Sequence, residues 1–251
     1  MRNCKVFMIL ILVTGLTSFT LTEGFLVNQK RYSLVRDAIT EKEKLIINNL
    51  SNNGIKREDL KILFTVFKEE GELNVYAKND TDGLYKKIAS YEICSNSGSL
   101  GPKRKQGDLQ VPEGFYHINR FNPMSSYYLS LGINYPNDSD RKKSKHSNLG
   151  GDIFIHGDCV TIGCMPMTDD KIKEIYLYSI FAKDNGQSKI PVYIFPFKMT
   201  SERIDQYKKM NEDTDEIINF WINLKKGYDQ FHLKKNVLKF SINKNGDYIF
   251  N

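Results

Sequence analysis

The stretch GGDIFIHGDCVTIGCM, residues 150–165, decides how the middle of the chain is organised. Apolar residues lead up to His156, which predicts a buried strand that ends at this imidazole. A loop with glycines at 157 and 163 then leads to Cys164, eight residues after the histidine. Functional side chains are often carried on a loop that rigid strands hold in place. The segment therefore predicts a site that brings His156 and Cys164 together.

These two residue types suit nucleophilic catalysis. The thiolate is the reactive form of cysteine, and an imidazole with an unperturbed pKa of about 6.5 can accept the thiol proton. Gly163 allows a substrate backbone to approach closely and favours a turn that directs N–H groups at an oxyanion. We predict acyl transfer through a thioester, with Cys164 as nucleophile, His156 as general base and acid, and the backbone N–H groups of Gly163 and Cys164 as oxyanion donors. This chemistry needs no cofactor and no metal.

Two alternatives use the same segment. The side chains of His146, His156, Cys159 and Cys164 are of the types that ligate zinc, although the C-x4-C spacing has no second matching pair. Cys159 and Cys164 alternatively close a short disulfide loop, which would remove the nucleophile.

Around this segment the chain alternates between strand and helix patterns. Runs rich in Val, Ile, Phe and Tyr predict strands, at 61–67, 73–77, 84–93, 115–120, 127–132, 152–156 and 190–197. Apolar residues at helical spacing predict helices at about 32–50, 169–183 and 214–226, with Thr168 as an N-cap and Gly227 as the end of the third helix. Asn245-Gly246 predicts a terminal hairpin. The fold class is α+β, mainly β, with flanking helices.

Composition indicates an ordinary globular chain. Its 251 residues are 40% hydrophobic and carry a net charge of +6, which suits one domain with extensions. Basic clusters at 103–105 and 141–145 are interpreted as solvated loops. A dense basic face and a nucleic-acid-binding motif are both missing from the sequence, so we expect no nucleic-acid partner.

The first 24 residues have the pattern of a signal peptide: an early charge at Arg2 and Lys5, then an apolar run too short to span a bilayer comfortably. Export would place the protein in an oxidising compartment. Three cysteines then remain, at 94, 159 and 164. They allow a Cys94–Cys159 disulfide with Cys164 free, or three reduced thiols.

Three strings carry a resemblance to a known family: IHGDCVTIGCMPMTDD (155–170), GPKRKQGDLQVPEGFY (101–116) and NYPNDSDR (134–141). Together they resemble the YkuD-domain L,D-transpeptidases, in particular the YafK-like branch. In that family a strand histidine precedes an S/T-x-G-C element, here residues 161–164. Most members have a second histidine where this chain has Ile162, and Arg or Asn where it has Pro166. Both departures resemble the YafK-like branch.

The resemblance implies a YkuD-type β-sandwich or barrel-like sheet core over residues 57–200. Residues 25–56 would then form an N-terminal helical extension, and 201–251 a C-terminal helical and hairpin extension. Thr161, Tyr116 and Gly157 are expected to bind substrate, with core packing as the alternative for Tyr116.

The implied donor is a peptidoglycan stem peptide in the periplasm or cell envelope. Cys164 would attack the carbonyl of its third residue, usually diaminopimelate, and release D-alanine. An amine of another stem or of an envelope lipoprotein would resolve the thioester. With water as acceptor, the same site would be a hydrolase that trims stems or detaches such a lipoprotein. A non-catalytic wall-binding module on the same fold is a further alternative, and the residues leave these options open.

Overall fold

The computed structural model describes residues 24–81, 83–210 and 215–251. The signal peptide predicted for residues 1–24 lies outside this range except for Gly24. The start predicted for the third helix, at Thr214, also lies outside it.

Eight strands form one curled sheet in the order β3-β2-β1-β8-β4-β5-β6-β7. Neighbouring strands run antiparallel except in the pairs β1–β8 and β6–β7, which are parallel. The strands are β1 (Leu60–Phe67), β2 (Glu72–Asn79), β3 (Lys86–Glu92), β4 (Gly114–Ser125), β5 (Tyr128–Ile133), β6 (Phe154–His156), β7 (Met165–Pro166) and β8 (Pro191–Phe195).

Helices and a hairpin flank the sheet. The α-helices are α1 (Phe25–Gln29), α2 (Ser33–Asn52), α3 (Asp138–Lys143), α4 (Asp169–Asp184), α5 (Ser201–Met210) and α6 (Asp215–Lys234), and a 3-10 turn spans Arg57–Asp59. The terminal hairpin joins β9 (Phe240–Ile242) to β10 (Tyr248–Phe250). No helix in the described part of the chain is long and apolar enough to cross a lipid bilayer.

The central strands are buried on both faces because side chains alternate along a strand. On β8, Val192 and Ile194 point into a core that also contains residues of α2 and α4. Tyr193 and Phe195 point the other way, into an aromatic core with Trp221 of α6. The C-terminal extension therefore packs directly on one face of the sheet.

The predicted α+β class is confirmed, although more of the described residues lie in helices than in strands. The side chain of Thr168 caps α4 by accepting from the Lys171 N–H, as its position predicts. Gly227 does not end a helix: α6 continues through it to Lys234. A Cβ at 227 would lie 2.5 Å from the Phe115 ring and 2.6 Å from the Phe250 ring. This glycine therefore allows close packing instead of terminating the helix.

Candidate active site

His156 and Cys164 lie on neighbouring strands. His156 ends β6, and Cys164 immediately precedes β7, whose Pro166 is paired with His156 in parallel register. Neighbouring strands are about 4.8 Å apart and each residue rises about 3.3 Å, which places the two Cα atoms roughly 8 Å apart. This separation is within the combined reach of the two side chains.

Cys164 has a free thiol, whereas Cys94 and Cys159 form a disulfide with a Cα–Cα distance of 5.5 Å. This is the disulfide that the sequence analysis considered beside three reduced thiols. The alternative Cys159–Cys164 disulfide is therefore absent from the structure. The same bond uses the Cys159 sulfur, which the zinc alternative required as a ligand.

Thr161 organises the loop that carries the cysteine. Its Oγ1 accepts hydrogen bonds from the N–H of Cys164 at 2.8 Å and of Gly163 at 3.2 Å, and donates to the Cys164 carbonyl at 2.9 Å. The two N–H groups predicted as oxyanion donors are thus held by this hydroxyl in the resting structure. Substrate would have to replace Thr161 as their acceptor. The structure accordingly gives Thr161 a contact within the loop.

Gly163 is required by its conformation. Its φ of +133° is one that side chains rarely adopt, and an added Cβ would lie 3.1 Å from the carbonyl oxygen of Gln110. The loop therefore approaches the 109–110 backbone closely just before Cys164.

The His156 ring is oriented by a backbone carbonyl. The residue is 2% exposed, its Nδ1 lies 2.5 Å from the Gly157 carbonyl oxygen, and its ring packs against that of Tyr127 at 4.9 Å. In the neutral tautomer with hydrogen on Nδ1, this nitrogen donates to the carbonyl and Nε2 is left as an acceptor. The sequence alone leaves a backbone carbonyl and Asp158 as candidates for this orienting group, and the structure has the carbonyl of Gly157 in contact with Nδ1.

Gly157 is itself buried, and its N–H donates to the Leu129 carbonyl at 3.1 Å. An added Cβ would lie 2.6 Å from Oδ1 of Asp169 and 2.9 Å from Cβ of Tyr128. The structure therefore places Gly157 in tight packing behind His156. Its expected contact with substrate stays a prediction that this burial does not favour.

Burial makes both candidate catalytic groups neutral at rest. It raises the pKa of the Cys164 thiol above its ordinary value, against the opposing effects of a hydrogen bond with the Phe154 backbone and the charge of Lys103. It also lowers the pKa of His156 below its ordinary value. A neutral thiol beside a neutral imidazole fits general-base activation on substrate binding.

The resting thiol does not contact the imidazole. Cys164 Sγ lies 3.7 Å from the carbonyl oxygen of Asp152. Within the described residues, no hydrogen bond joins this sulfur to His156. Catalytic hydrogen bonds are often long or missing before substrate binds. The predicted proton transfer therefore requires the sulfur and the imidazole to come into hydrogen-bond contact when substrate binds.

Two cavities meet at Cys164. The Lys103 cavity, about 360 Å³, is lined by Cys164 with Lys103, Leu109, Gly150, Asp152 and Ile162 among others. The Lys68 cavity, about 290 Å³, is lined by Cys164 with Lys68, Ser99, Leu100, Val111 and Met165 among others. Cys164 thus borders both cavities, and each cavity is large enough to hold part of a peptide.

Tyr116 does not line either of these cavities. It is 3% exposed, and its hydroxyl donates to the Asp140 carboxylate at 3.0 Å. The structure therefore places Tyr116 in the core, the alternative considered for it from the sequence.

Lys103 was missed as a site residue because its cluster was interpreted as a solvated loop. It is 4% exposed, and its Nζ donates to Asp108 at 2.6 Å and to the Lys105 carbonyl at 3.0 Å. A buried lysine requires such partners. Asp108, five residues after Lys103, is the one signal in the sequence that could have indicated that this lysine is buried and paired.

Comparison with known proteins identifies the family of the chain. A family model for YkuD, the L,D-transpeptidase catalytic domain, matches residues 63–194, just over half of the chain. Over 172 residues the chain is 41% identical to a curated Escherichia coli K12 protein with the provisional name L,D-transpeptidase YafK. The alignment covers 68% of this chain and 66% of that protein, slightly less than two thirds of its length.

Solved structures give more distant similarities. The helical cell shape determining protein Pgp2 of Campylobacter jejuni is 22% identical, with a TM-score of 0.44 and coverage of 78% of this chain and 80% of that one. Bd1075 of Bdellovibrio bacteriovorus is 23% identical, with a TM-score of 0.39 and coverage of 66% and 58%. L,D-transpeptidase 1 of Mycobacterium tuberculosis is 11% identical, with a TM-score of 0.29 and coverage of 54% and 62%. The domain match and the 41% identity establish that this chain belongs to the YkuD family of L,D-transpeptidase catalytic domains.

Proposed function

We propose that the protein is an exported cysteine acyltransferase that acts on peptidoglycan stem peptides. The observation that carries the proposal is the position of Cys164: a free thiol where two cavities meet, beside the strand that ends at His156. A transfer reaction needs one side of the nucleophile for the acyl donor and another for the acceptor. Family membership directs the proposal to stem peptides.

In the first half-reaction, Nε2 of His156 takes the thiol proton and the Cys164 sulfur attacks the diaminopimelate carbonyl carbon. The carbonyl becomes an oxyanion, which the N–H groups of Gly163 and Cys164 would bind in place of Thr161. When the intermediate collapses, the C–N bond to D-alanine breaks and the imidazolium returns the proton to the leaving amine. The product is a thioester on Cys164.

In the second half-reaction an acceptor amine attacks the thioester carbonyl. His156 removes one proton from the attacking nitrogen and gives it to the departing sulfur. A new amide forms, and the free thiol is restored. A lysine amine of an envelope lipoprotein or a side-chain amine of another stem would serve as acceptor, and water in its place would make the outcome hydrolysis.

The disulfide supports the exported location, because such bonds persist in oxidising compartments. In this proposal residues 1–24 direct export to the periplasm or cell envelope, and residues 57–200 form the catalytic domain. Residues 25–56 and 201–251 are its N-terminal and C-terminal extensions.

The test is incubation of the purified protein with tetrapeptide muropeptides, with and without a lysine-containing acceptor peptide, with products identified by mass. We expect loss of D-alanine and a cross-linked or lysine-linked product. Loss of mass without an acceptor adduct would assign hydrolysis instead. Cys164→Ala should abolish both transfer and hydrolysis. Normal turnover by that variant would end the proposal.

His156→Gln should reduce turnover strongly. His232→Gln is a matched control, because His232 also bonds a backbone carbonyl, that of Tyr228 at 2.9 Å, but lies outside the site. A carbapenem-type acylating inhibitor should add covalently to Cys164. Labelling found only at other residues would argue against this cysteine as the nucleophile.

A further inference from the structure

A third cavity lies next to the Lys68 cavity and is built partly by the C-terminal extension. Its volume is about 380 Å³, and we name it the Phe220 cavity. Its walls come from the 97–113 loop, the end of α3 with the segment after it, and α6. Its lining includes Leu100, Arg104, Lys143, Lys145, Ile217 and Phe220. Residues of α6 lie beyond the 63–194 family match. This cavity is therefore formed in part by chain that the family domain does not include.

The Phe220 cavity continues toward the nucleophile. Ser99 and Leu100 line both it and the Lys68 cavity, and Cys164 lines the Lys68 cavity. A peptide whose reacting group lies at Cys164 could therefore extend past Ser99 and Leu100 into the Phe220 cavity.

The lining of the Phe220 cavity combines the aromatic ring of Phe220 with basic side chains. Arg104 lies 5.0 Å and Lys143 5.8 Å from the centre of the Phe220 ring. Their ion-pair partners, Asp140 at 3.1 Å and Asp247 at 2.6 Å, do not line the cavity. These acids hold the two cations in place and offset part of their charge. The lining itself carries three basic side chains, Arg104, Lys143 and Lys145, against one acid, Glu216, so the surface presented to a ligand has more basic than acidic groups and is partly apolar.

Lys145 adds an accessible charge at the opening. Its side chain is 83% exposed, and its ion-pair partner Glu216, at 3.2 Å, is 71% exposed. Exposed pairs of this kind contribute little and exchange readily with other ions. A ligand carboxylate can therefore compete with Glu216 for Lys145 at small cost.

The wall shared with the Lys68 cavity is rigid. Lys68 Nζ donates to the Gly101 carbonyl at 2.7 Å and to Glu113 at 2.9 Å, and the Gly101 N–H donates to Glu113 at 2.8 Å. Because these groups are buried and paired, the loop presents a preformed surface to a ligand.

We propose that the Phe220 cavity is a subsite for a carboxylate-bearing part of the acidic peptide whose reacting group lies at Cys164. The subsite rests on the proposed function for the identity of the peptide. It gives the C-terminal extension a role in selecting substrates that carry a negative charge away from the bond that reacts.

The test uses the full chain with Cys164→Ala, which cannot turn substrate over. Its probe is a fluorescent stem tetrapeptide in two forms: one has a free carboxylate on the residue before diaminopimelate, and in the other this carboxylate is amidated. Binding of each peptide is measured by fluorescence anisotropy. Lys145→Glu should weaken binding of the free-carboxylate peptide by at least about fivefold, because the attraction of one unit charge is lost and a repulsion replaces it. It should leave binding of the amidated peptide almost unchanged. Lys44→Glu on α2 is the matched control: the same exposed charge reversal, at a residue that lines none of the three cavities.

A second variant tests the cavity by filling it with a larger side chain instead of changing its charge. Ile217→Trp should fill part of the cavity and weaken both peptides, with folding checked by thermal melting. Equal binding by the Lys145→Glu and Lys44→Glu proteins, or no preference for the free carboxylate, would overturn the subsite.

Binding by the Cys164→Ala protein does not depend on turnover. Binding that depends on Lys145, in a protein whose parent is inactive on muropeptides, would support the subsite while the proposed function failed. An active enzyme whose Lys145→Glu variant binds like the control would overturn the subsite alone.

Discussion

Trp221, on the C-terminal helix α6, donates its indole N–H to Oε2 of Glu113 at a distance of 2.7 Å. Glu113 is 0% exposed and ends the 97–113 loop, which lines all three cavities. Its other oxygen accepts from Lys68, which directly follows β1. One buried carboxylate thus joins the sheet, the loop and the C-terminal extension. The extension is therefore part of the structure that shapes the site.

Trp221→Phe should lower the free energy of unfolding by about 1–3 kcal/mol, because it leaves a buried carboxylate oxygen without its donor. Urea denaturation measures this loss. A double-mutant cycle with Glu113→Ala, which removes the acceptor, separates the hydrogen bond from ring packing. A coupling energy near zero would mean that the indole N–H contributes nothing.

Thr161→Val should reduce turnover by about tenfold or more, because loss of the hydroxyl frees the loop around Cys164. Thr161→Ser keeps the hydroxyl and should retain most of the activity. The measurement is kcat/KM for muropeptides, with alkylation of Cys164 by iodoacetamide as a check that the thiol stays accessible. Full activity of the valine variant would show that the hydroxyl does not position the nucleophile.

The pH dependence follows from the two shifted pKa values. Because the pKa of His156 is lowered, the imidazole stays neutral and able to act as a base below its ordinary value of about 6.5. The decrease of kcat/KM on the acid side of its pH profile should therefore have its midpoint below pH 6.5.

Because the pKa of Cys164 is raised, its alkylation without substrate should increase only at more alkaline pH than for an ordinary cysteine. Measuring kcat/KM and the rate of Cys164 alkylation from pH 5 to pH 10 tests both predictions. A thiol that is alkylated rapidly at pH 6 would contradict the neutral resting pair.

The strand and helix patterns of the sequence predicted most of the sheet, because β1, β2, β8 and the first part of β4 are largely buried runs with strong β propensity. The short helices α3 and α5 were not predicted. The run 201–210 is mostly polar, and only Ile204 is buried there, so apolar periodicity carries no signal. In α3 the informative feature is the capping box of Asn137 and Asp140.

The sequence alone indicates which residues form the candidate site. It does not indicate most of the contacts that these residues make. Glycine and cysteine at 163 and 164 mark the loop by type and spacing. The roles of Thr161 and Gly157 depend on backbone atoms that only the folded loop brings together. Lys103 was taken for a surface residue because a lysine's burial depends on partners that its own sequence neighbourhood barely indicates.

Breaking the Cys94–Cys159 disulfide should destabilise the protein and loosen the nucleophile loop. The bond closes a segment with a sequence separation of 65, for which chain entropy gives a stabilisation of about 4 kcal/mol. Near the bond, the Cys94 N–H donates to the Pro166 carbonyl at 3.0 Å, so the same region also supports β7. The double variant Cys94→Ser/Cys159→Ser should therefore lose both stability and turnover.

Thermal melts with and without dithiothreitol measure the effect on stability, with Cys164→Ser as the matched control that keeps the disulfide. The control should melt at a lower temperature when reduced, and the double variant should be insensitive to the reductant. An unchanged melting temperature of the control on reduction would mean that the bond does not stabilise the fold. In that case, lower turnover by the double variant would have to arise in the loop between Cys159 and Cys164 alone.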